Sequence, residues 1–250
     1  MTIDFERLDR LKSKLDSFRP LPRAILQNLH EVLVLQWTYH SNAIEGNTLT
    51  LKETKVALEG VTIGGKTLRE HFEVINHRDA IVFVEELVQQ QVPLSDWVIK
   101  QIHQLVLKNV DDQHAGRYRH LNVLIAGATH RPPDALQVVT QMQAFIEAYQ
   151  TTAQALHPVA RAAWVHAEFV KIHPFVDGNG RTSRLLMNLE LMKAGFPAAV
   201  LPVERRLAYY EALDTAHCEG DLEPFVQLVA TCVAQSFEPY WWALAIKQVD

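Results

Sequence analysis

Twelve consecutive residues, His173-Pro-Phe175-Val-Asp177-Gly178-Asn179-Gly180-Arg181-Thr-Ser-Arg184, hold the groups that phosphate chemistry needs. Gly178, Asn179 and Gly180 can bend so that successive backbone N–H groups face one concavity, which holds an anion without any side chain. Apolar residues then recur with helical spacing at Leu185, Leu186, Leu189 and Met192. The turn is therefore expected at a helix N-terminus, where free amides and the positive end of the dipole converge on the same anion. Arg181 and Arg184 are neighbours on one helix face and are suited to clamp successive phosphates. Asp177 places a carboxylate beside them, matched to one Mg²⁺ shared with phosphate oxygens. His173 stands just upstream, where an imidazole of ordinary pKa can take a proton from an incoming hydroxyl. A capped turn flanked by surface arginines explains any one of these residues, but it does not call for the histidine and both arginines together.

The ordered set resembles the signature of Fic-domain proteins at His173, Phe175, Asp177, Gly178, Asn179, Gly180, Arg181 and Arg184. The resemblance implies that His173 is the base and that Asp177 binds Mg²⁺ or Mn²⁺. It also implies that the turn and the arginines hold the phosphates of ATP, with Phe175 anchoring the loop. A Tyr, Thr or Ser hydroxyl of a target protein, or of the chain itself, would attack the α-phosphorus, take AMP and expel pyrophosphate. Catalysis of that kind is mostly positioning and charge stabilisation. Some relatives remove AMP instead, and others transfer phosphate, UMP or phosphocholine; the residues here do not separate adding AMP from removing it.

Three further segments extend the resemblance, which covers about residues 30 to 245. Ser41-Asn-Ala-Ile-Glu45-Gly46-Asn47 resembles the inhibitory motif of the class that carries it on an N-terminal helix. A carboxylate paired with Arg184 would occupy the group that should bind the γ-phosphate, and in water-poor surroundings such a pair contributes a few kcal/mol, roughly. The alternative is a plain helix end, with Gly46 as its terminating glycine. Gly116 through Pro133, with an extended piece at Leu121–Ala126, resembles the flap that holds the target's modified segment by main-chain pairing. Thr129 and His130 would then border the nucleotide. Tyr209, Tyr210 and His217 fall in the part of relatives that receives adenosine; many relatives carry Asn where this chain has His217, which leaves base selectivity open.

These residues need a scaffold, and the periodicity supplies helices. They are expected near 4–18, 22–43, 50–59, 67–91, 95–109, 134–151, 156–171, 179–194, 204–218 and 221–246. Leu26, Leu29, Leu33 and Trp37 form one expected buried stripe, and Val138, Met142, Phe145 and Tyr149 another. No strand–helix alternation is visible, so the reading is all-α: a helical bundle with a short β-hairpin flap over the site. Residues 1–250 are expected to form a single Fic-type domain, with residues 22–60 inhibitory, 95–220 the core and 221–250 a C-terminal helix.

The chain has 250 residues, 48% hydrophobic and 21% charged, with net charge −5. That balance suits a globular protein and argues against nucleic acid as a partner. Cys218 and Cys232 fit no zinc or redox spacing, the start is charged throughout, and no apolar run spans a membrane. A cytoplasmic location is expected by default. The apolar end Tyr240–Ile246 is expected to pack on the core, with a second subunit in a homodimer or a further domain as the other ways to cover it. Gly60-Val-Thr-Ile-Gly64-Gly65-Lys66-Thr67 matches the P-loop pattern, which makes a P-loop NTPase the rival enzyme; what precedes it reads as a helix rather than the strand such a loop needs. A non-catalytic nucleotide-binding module is the non-enzymatic rival.

Overall fold

The computed structural model describes residues 3–246, and eleven α-helices account for most of them. In chain order they are α1 (Phe5–Asp16), α2 (Arg23–Ile44), α3 (Leu51–Leu58), α4 (Leu68–Gln89), α5 (Asp96–Leu107), α6 (Val138–Gln150), α7 (Pro158–Ile172), α8 (Asn179–Lys193), α9 (Arg206–Cys218), α10 (Glu223–Gln235) and α11 (Glu238–Ala243). Short 3₁₀ turns precede α6, α7 and α9.

Helix α8 is the axis of the bundle. It packs along α7, with α4 and α5 against its other faces. A helix enclosed on every side is normally apolar all round. This one buries Leu185, Leu186, Met187, Leu189 and Leu191, but also Arg181, Arg184, Asn188 and Glu190. Buried polar groups must be paired, and two of these are paired structurally. Asn188 exchanges hydrogen bonds with the backbone of Ala199 at 2.7 and 2.9 Å, and Glu190 accepts from Tyr149 at 2.9 Å and Arg161 at 3.1 Å. Arg181 and Arg184 lie in the first two turns and belong to the site. One continuous apolar cluster runs from Leu8 to Trp241, and a small satellite of Leu49, Ala57 and Val74 sits under the α3–α4 corner.

Local signals placed most elements. Capping boxes at Thr50/Glu53 and Thr67/Glu70 start α3 and α4, Ser95 caps α5, and Pro158 stands at the first position of α7. Three expectations change. The buried seam of α2 runs through Leu29, Val34, Trp37, Ser41 and Ile44, while Leu26 is exposed. The single helix expected at 221–246 divides into α10 and α11, because Pro239 within a continuous helix would lack an N–H and meet the carbonyl four residues earlier. Residues 247–250 of that expected C-terminal helix lie outside the described residues.

The third change is the flap. Among the described residues there is no strand, and Leu121–Ala126 is irregular. A strand needs a ladder partner, and this segment is held by side chains instead: Asn122 accepts from the Ala135 N–H at 2.7 Å and donates to Asp134 at 3.0 Å. The apolar end packs in part, with Trp241 buried and stacked on Phe237 but Trp242 exposed. No helix among the described residues is long and apolar enough to cross a membrane.

Candidate active site

The loop between α7 and α8 carries the chemistry, and its shape comes from three residues. His173 ends α7 in the left-handed region (φ 49°, ψ 59°), which turns the chain sharply. Phe175 is fully buried and stacks on His103, rings 3.5 Å apart and 3° from parallel. Asn179 closes the turn by accepting from the Phe175 N–H at 3.0 Å and donating to the Phe175 carbonyl at 2.9 Å. Its side chain is thus committed to the loop, and what Asn179 offers an anion is its backbone N–H.

His103 gave no signal in the sequence, yet it ties two parts of the site together. Its Nδ1 accepts from the Gly116 N–H at 2.9 Å, so the ring proton lies on Nε2 and is donated to the Asp177 carbonyl at 2.9 Å. Burial pushes its pKa down to about 4. A histidine depressed in the folded state stabilises fully above its unfolded pKa near 6.5, and that stability is lost as pH falls towards 4. Denaturant unfolding followed between pH 7.5 and 4 is expected to show a drop that reaches about 3 kcal/mol from this residue alone. An unchanged midpoint across that range would contradict the neutral, buried His103.

Gly178 caps α8 at φ 75°, and the first N–H groups of the helix have no intrahelical acceptor. The carboxylate of Glu45 lies against this turn: a Cβ placed on Gly180 would run into it. Its Oε1 accepts from Arg184 Nη2 at 2.8 Å. Arg184, only 2% exposed, also donates to Ser41 Oγ at 3.0 Å, the Ser41 carbonyl at 2.8 Å and the Tyr209 hydroxyl at 3.3 Å. Glu45 is at the same time the C-cap of α2, followed by Gly46 at φ 97°, so the plain helix end and the contact with Arg184 are one feature.

Arg181 is as deeply buried. Its Nη2 lies 3.3 Å from Asp177 Oδ1 and its Nη1 3.3 Å from Glu73 Oε1, while Nε and Nη1 have no well-formed hydrogen bond. Buried guanidinium N–H groups in that condition are what an anion-binding arginine presents. Burial raises the pKa of Asp177, but Arg181, the Gly178 N–H and Arg69 outweigh it and hold the carboxyl below its ordinary value. No cluster of three or more metal-ligating side chains exists among the described residues. A lone anionic carboxylate beside a phosphate cradle nevertheless fits Mg²⁺, which commonly takes one or two carboxylates and completes its shell with phosphate oxygens and water.

His173 corrects one expectation. Its pKa is not ordinary: burial pushes it down to about 4, with the Val170 carbonyl and Glu45 pulling the other way. The ring is therefore neutral at pH 7, in the form that accepts a proton, and its Nδ1 is buried.

The remaining candidates fall into two groups. Thr129, His130 and His217 come together: the Thr129 N–H meets the Asp214 carboxylate at 3.1 and 3.2 Å, and the two imidazoles stand 4.9 Å apart. His130 and His217 each place Nε2 2.9 Å from a carbonyl of α7, those of Lys171 and Ala167, so both carry the proton there and present Nδ1 as an acceptor. Tyr209, in contrast, is buried behind Arg184, and the Tyr210 hydroxyl donates to the Ile44 carbonyl at 3.3 Å, next to Glu45. The flap hangs on Arg119, whose guanidinium donates to the carbonyls of His173 at 2.8 Å, Leu121 at 3.0 Å and Pro133 at 2.6 Å. The P-loop reading falls, because Gly60–Thr67 joins two helices and Lys66 donates to the Thr48 carbonyl at 2.6 Å.

Known proteins resemble this chain in sequence and fold. Residues 93–191 match the Fic/DOC family. Protein adenylyltransferase Fic of Drosophila grimshawi is 38% identical over 247 residues, covering 97% of this chain and 50% of that protein. Its Drosophila melanogaster counterpart is 37% identical over 246 residues, covering 97% and 49%. The chain thus spans about half the length of the curated relatives it matches. Fic-1 from C. elegans superposes with TM-score 0.86 at 36% identity, over 97% of this chain and 73% of that one. A Fic domain containing signaling protein from Bacteroides thetaiotaomicron gives TM-score 0.88 at 28% identity, over 97% and 99%. With the signature loop, its scaffold and these likenesses in agreement, the chain belongs to the Fic/DOC family.

Proposed function

We propose that this chain transfers AMP from ATP to a Tyr, Thr or Ser hydroxyl of a protein, and that Glu45 holds it at rest. The observation that carries the reading is the seat of the Glu45 carboxylate, against Gly180 and on Arg184: an anion of the chain's own in an anion cradle. The name protein adenylyltransferase, carried by relatives alike over almost this whole chain, supports ATP as the source of the phosphates.

In this reading residues 95–220 hold the chemistry and residues 22–60 regulate it. His173, neutral and with Nδ1 buried, takes the hydroxyl proton at Nε2. The oxygen bonds to the α-phosphorus as the α–β phosphoanhydride bond breaks, and pyrophosphate leaves. Arg181, Arg184 and the amides of the Gly178–Gly180 turn receive the charge that develops on the departing oxygens. Asp177 would hold Mg²⁺ or Mn²⁺, which would supply further charge neutralisation at the phosphates. The base fits the corner made by Thr129, His130 and His217, whose two Nδ1 acceptors suit an exocyclic amine. The target's segment pairs along Leu121–Ala126, main chain that no strand covers. The chain's own hydroxyls are a second target.

Intact-mass measurement of the Glu45→Gly protein after incubation with Mg²⁺ and ATP tests this. A gain of one or more adenylyl groups is expected. A gain of phosphoryl groups would overturn the reading. Release of AMP from a pre-modified protein without any gain would do the same in favour of AMP removal.

A further inference from the structure

The first turns of α4 reach across the mouth of the site. Arg69 Nη2 lies 2.7 Å from Asp177 Oδ2, and Arg69 Nε lies 3.1 Å from Glu73 Oε1. Glu73 Oε1 in turn faces Arg181 Nη1 at 3.3 Å, and Arg181 Nη2 faces Asp177 Oδ1 at 3.3 Å. Two arginines and two carboxylates, Asp177 among them, so close a ring at the mouth of the site. Glu73 is fixed in it by Asn47, two residues past Glu45, which donates to Glu73 Oε2 at 2.9 Å.

The two oxygens of Asp177 are not equivalent. Oδ1 faces inward and is taken by the Gly178 N–H and by Arg181. Oδ2 is the oxygen a cation from solvent would reach, and Arg69 covers it. The two arginines differ as well. Arg181 is 3% exposed and fixed, whereas Arg69 is 57% exposed, with no partner but Glu73 and Asp177 among the described residues. Mg²⁺ binds oxygen at about 2.0–2.1 Å in octahedral geometry, so a guanidinium held against Oδ2 competes with it for that oxygen. One positive charge must give way to the other.

We propose that Arg69 is the resident counter-cation of Asp177, displaced when a divalent cation enters with the nucleotide, and that it thereby sets the metal requirement of the site. This rests on reading Asp177 as the metal ligand. The chain then supplies its own counterparts of both charges: Glu45 stands where phosphate belongs and Arg69 where the metal belongs. The pair is half-exposed, so its hold is weak and easily exchanged. Removing it is expected to tighten metal binding about three- to fivefold, the upper part of the range for an exposed ion pair.

The test measures Mn²⁺ binding through the enhancement of water-proton relaxation, with a non-hydrolysable ATP analogue present and all variants built on Glu45→Gly. Arg69→Gln is expected to lower the half-saturating Mn²⁺ concentration about three- to fivefold. Arg78→Gln makes the same charge change further along α4, where its partner is Asp79, and is expected to leave it unaltered. Equal binding in the Arg69→Gln and parent proteins, weaker binding in Arg69→Gln, or an equal gain in Arg78→Gln would each overturn the proposal. Asp177→Asn separates the two layers: it is expected to lose Mn²⁺ binding, and if binding persists, the metal assignment of Asp177 fails first.

Discussion

Replacing Glu45 with glycine is expected to raise AMP transfer by one to two orders of magnitude. The carboxylate stands on Arg184, a guanidinium only 2% exposed, and presses on the glycine turn where phosphate oxygens would lie. Holding a site about 90–99% closed takes only about 1.4–2.7 kcal/mol, which a charge-assisted hydrogen bond from a buried guanidinium to a partly exposed carboxylate supplies. The substitution leaves the frame in place. Glu45 is the C-cap just past α2, where glycine is tolerated, and Arg184 keeps Ser41 and Tyr209 as partners. Initial rates at saturating Mg²⁺ and ATP measure the effect, and equal rates in the two proteins would remove Glu45 from the account.

The opposite effect is expected at His173. In the Glu45→Gly background, His173→Ala should lower kcat by about 10²–10⁴, the range for loss of a general base, while nucleotide affinity changes by less than about threefold. Nothing else in the loop depends on the imidazole. The main chain at His173 is held through its carbonyl by Arg119, Phe175 is locked by His103 and Asn179, and the phosphate groups belong to the turn and the arginines. Because burial holds the His173 pKa near 4, the base is fully unprotonated from pH 6 to 8, and the acid limb of the rate profile is expected below that range. A large loss of nucleotide affinity, or transfer that survives, would contradict the role given to His173.

These expectations draw on two kinds of residue, one visible in the sequence and one not. The site segment was legible because it is contiguous: base, carboxylate, turn and arginines fall between His173 and Arg184, and their order is informative. Ser41 and Glu45 were legible as a short motif, although only the fold shows that the helix end and the contact with Arg184 coincide. Arg69, Glu73, His103 and Arg119 were not. Each sits in an ordinary amphipathic or turn context, and each acts on a loop far along the chain, Arg69 across 108 residues and His103 across 74. Long-range partners of that kind leave no spacing to read. The His173 pKa departs from the sequence-based expectation for a related reason: residue type sets the starting value, and burial, which only the packed structure defines, sets the shift. The flap shows the converse, since extended composition at Leu121–Ala126 does not make a strand without a partner.

The most direct test of the central claim uses ATP labelled at either the α- or the γ-phosphate, with wild type, Glu45→Gly and Glu45→Gly/His173→Ala side by side. The account predicts protein-bound α-label, weak in wild type, strong in Glu45→Gly and lost in the double variant, with no bound γ-label in any of them. Bound γ-label, or α-label that ignores either substitution, would contradict it.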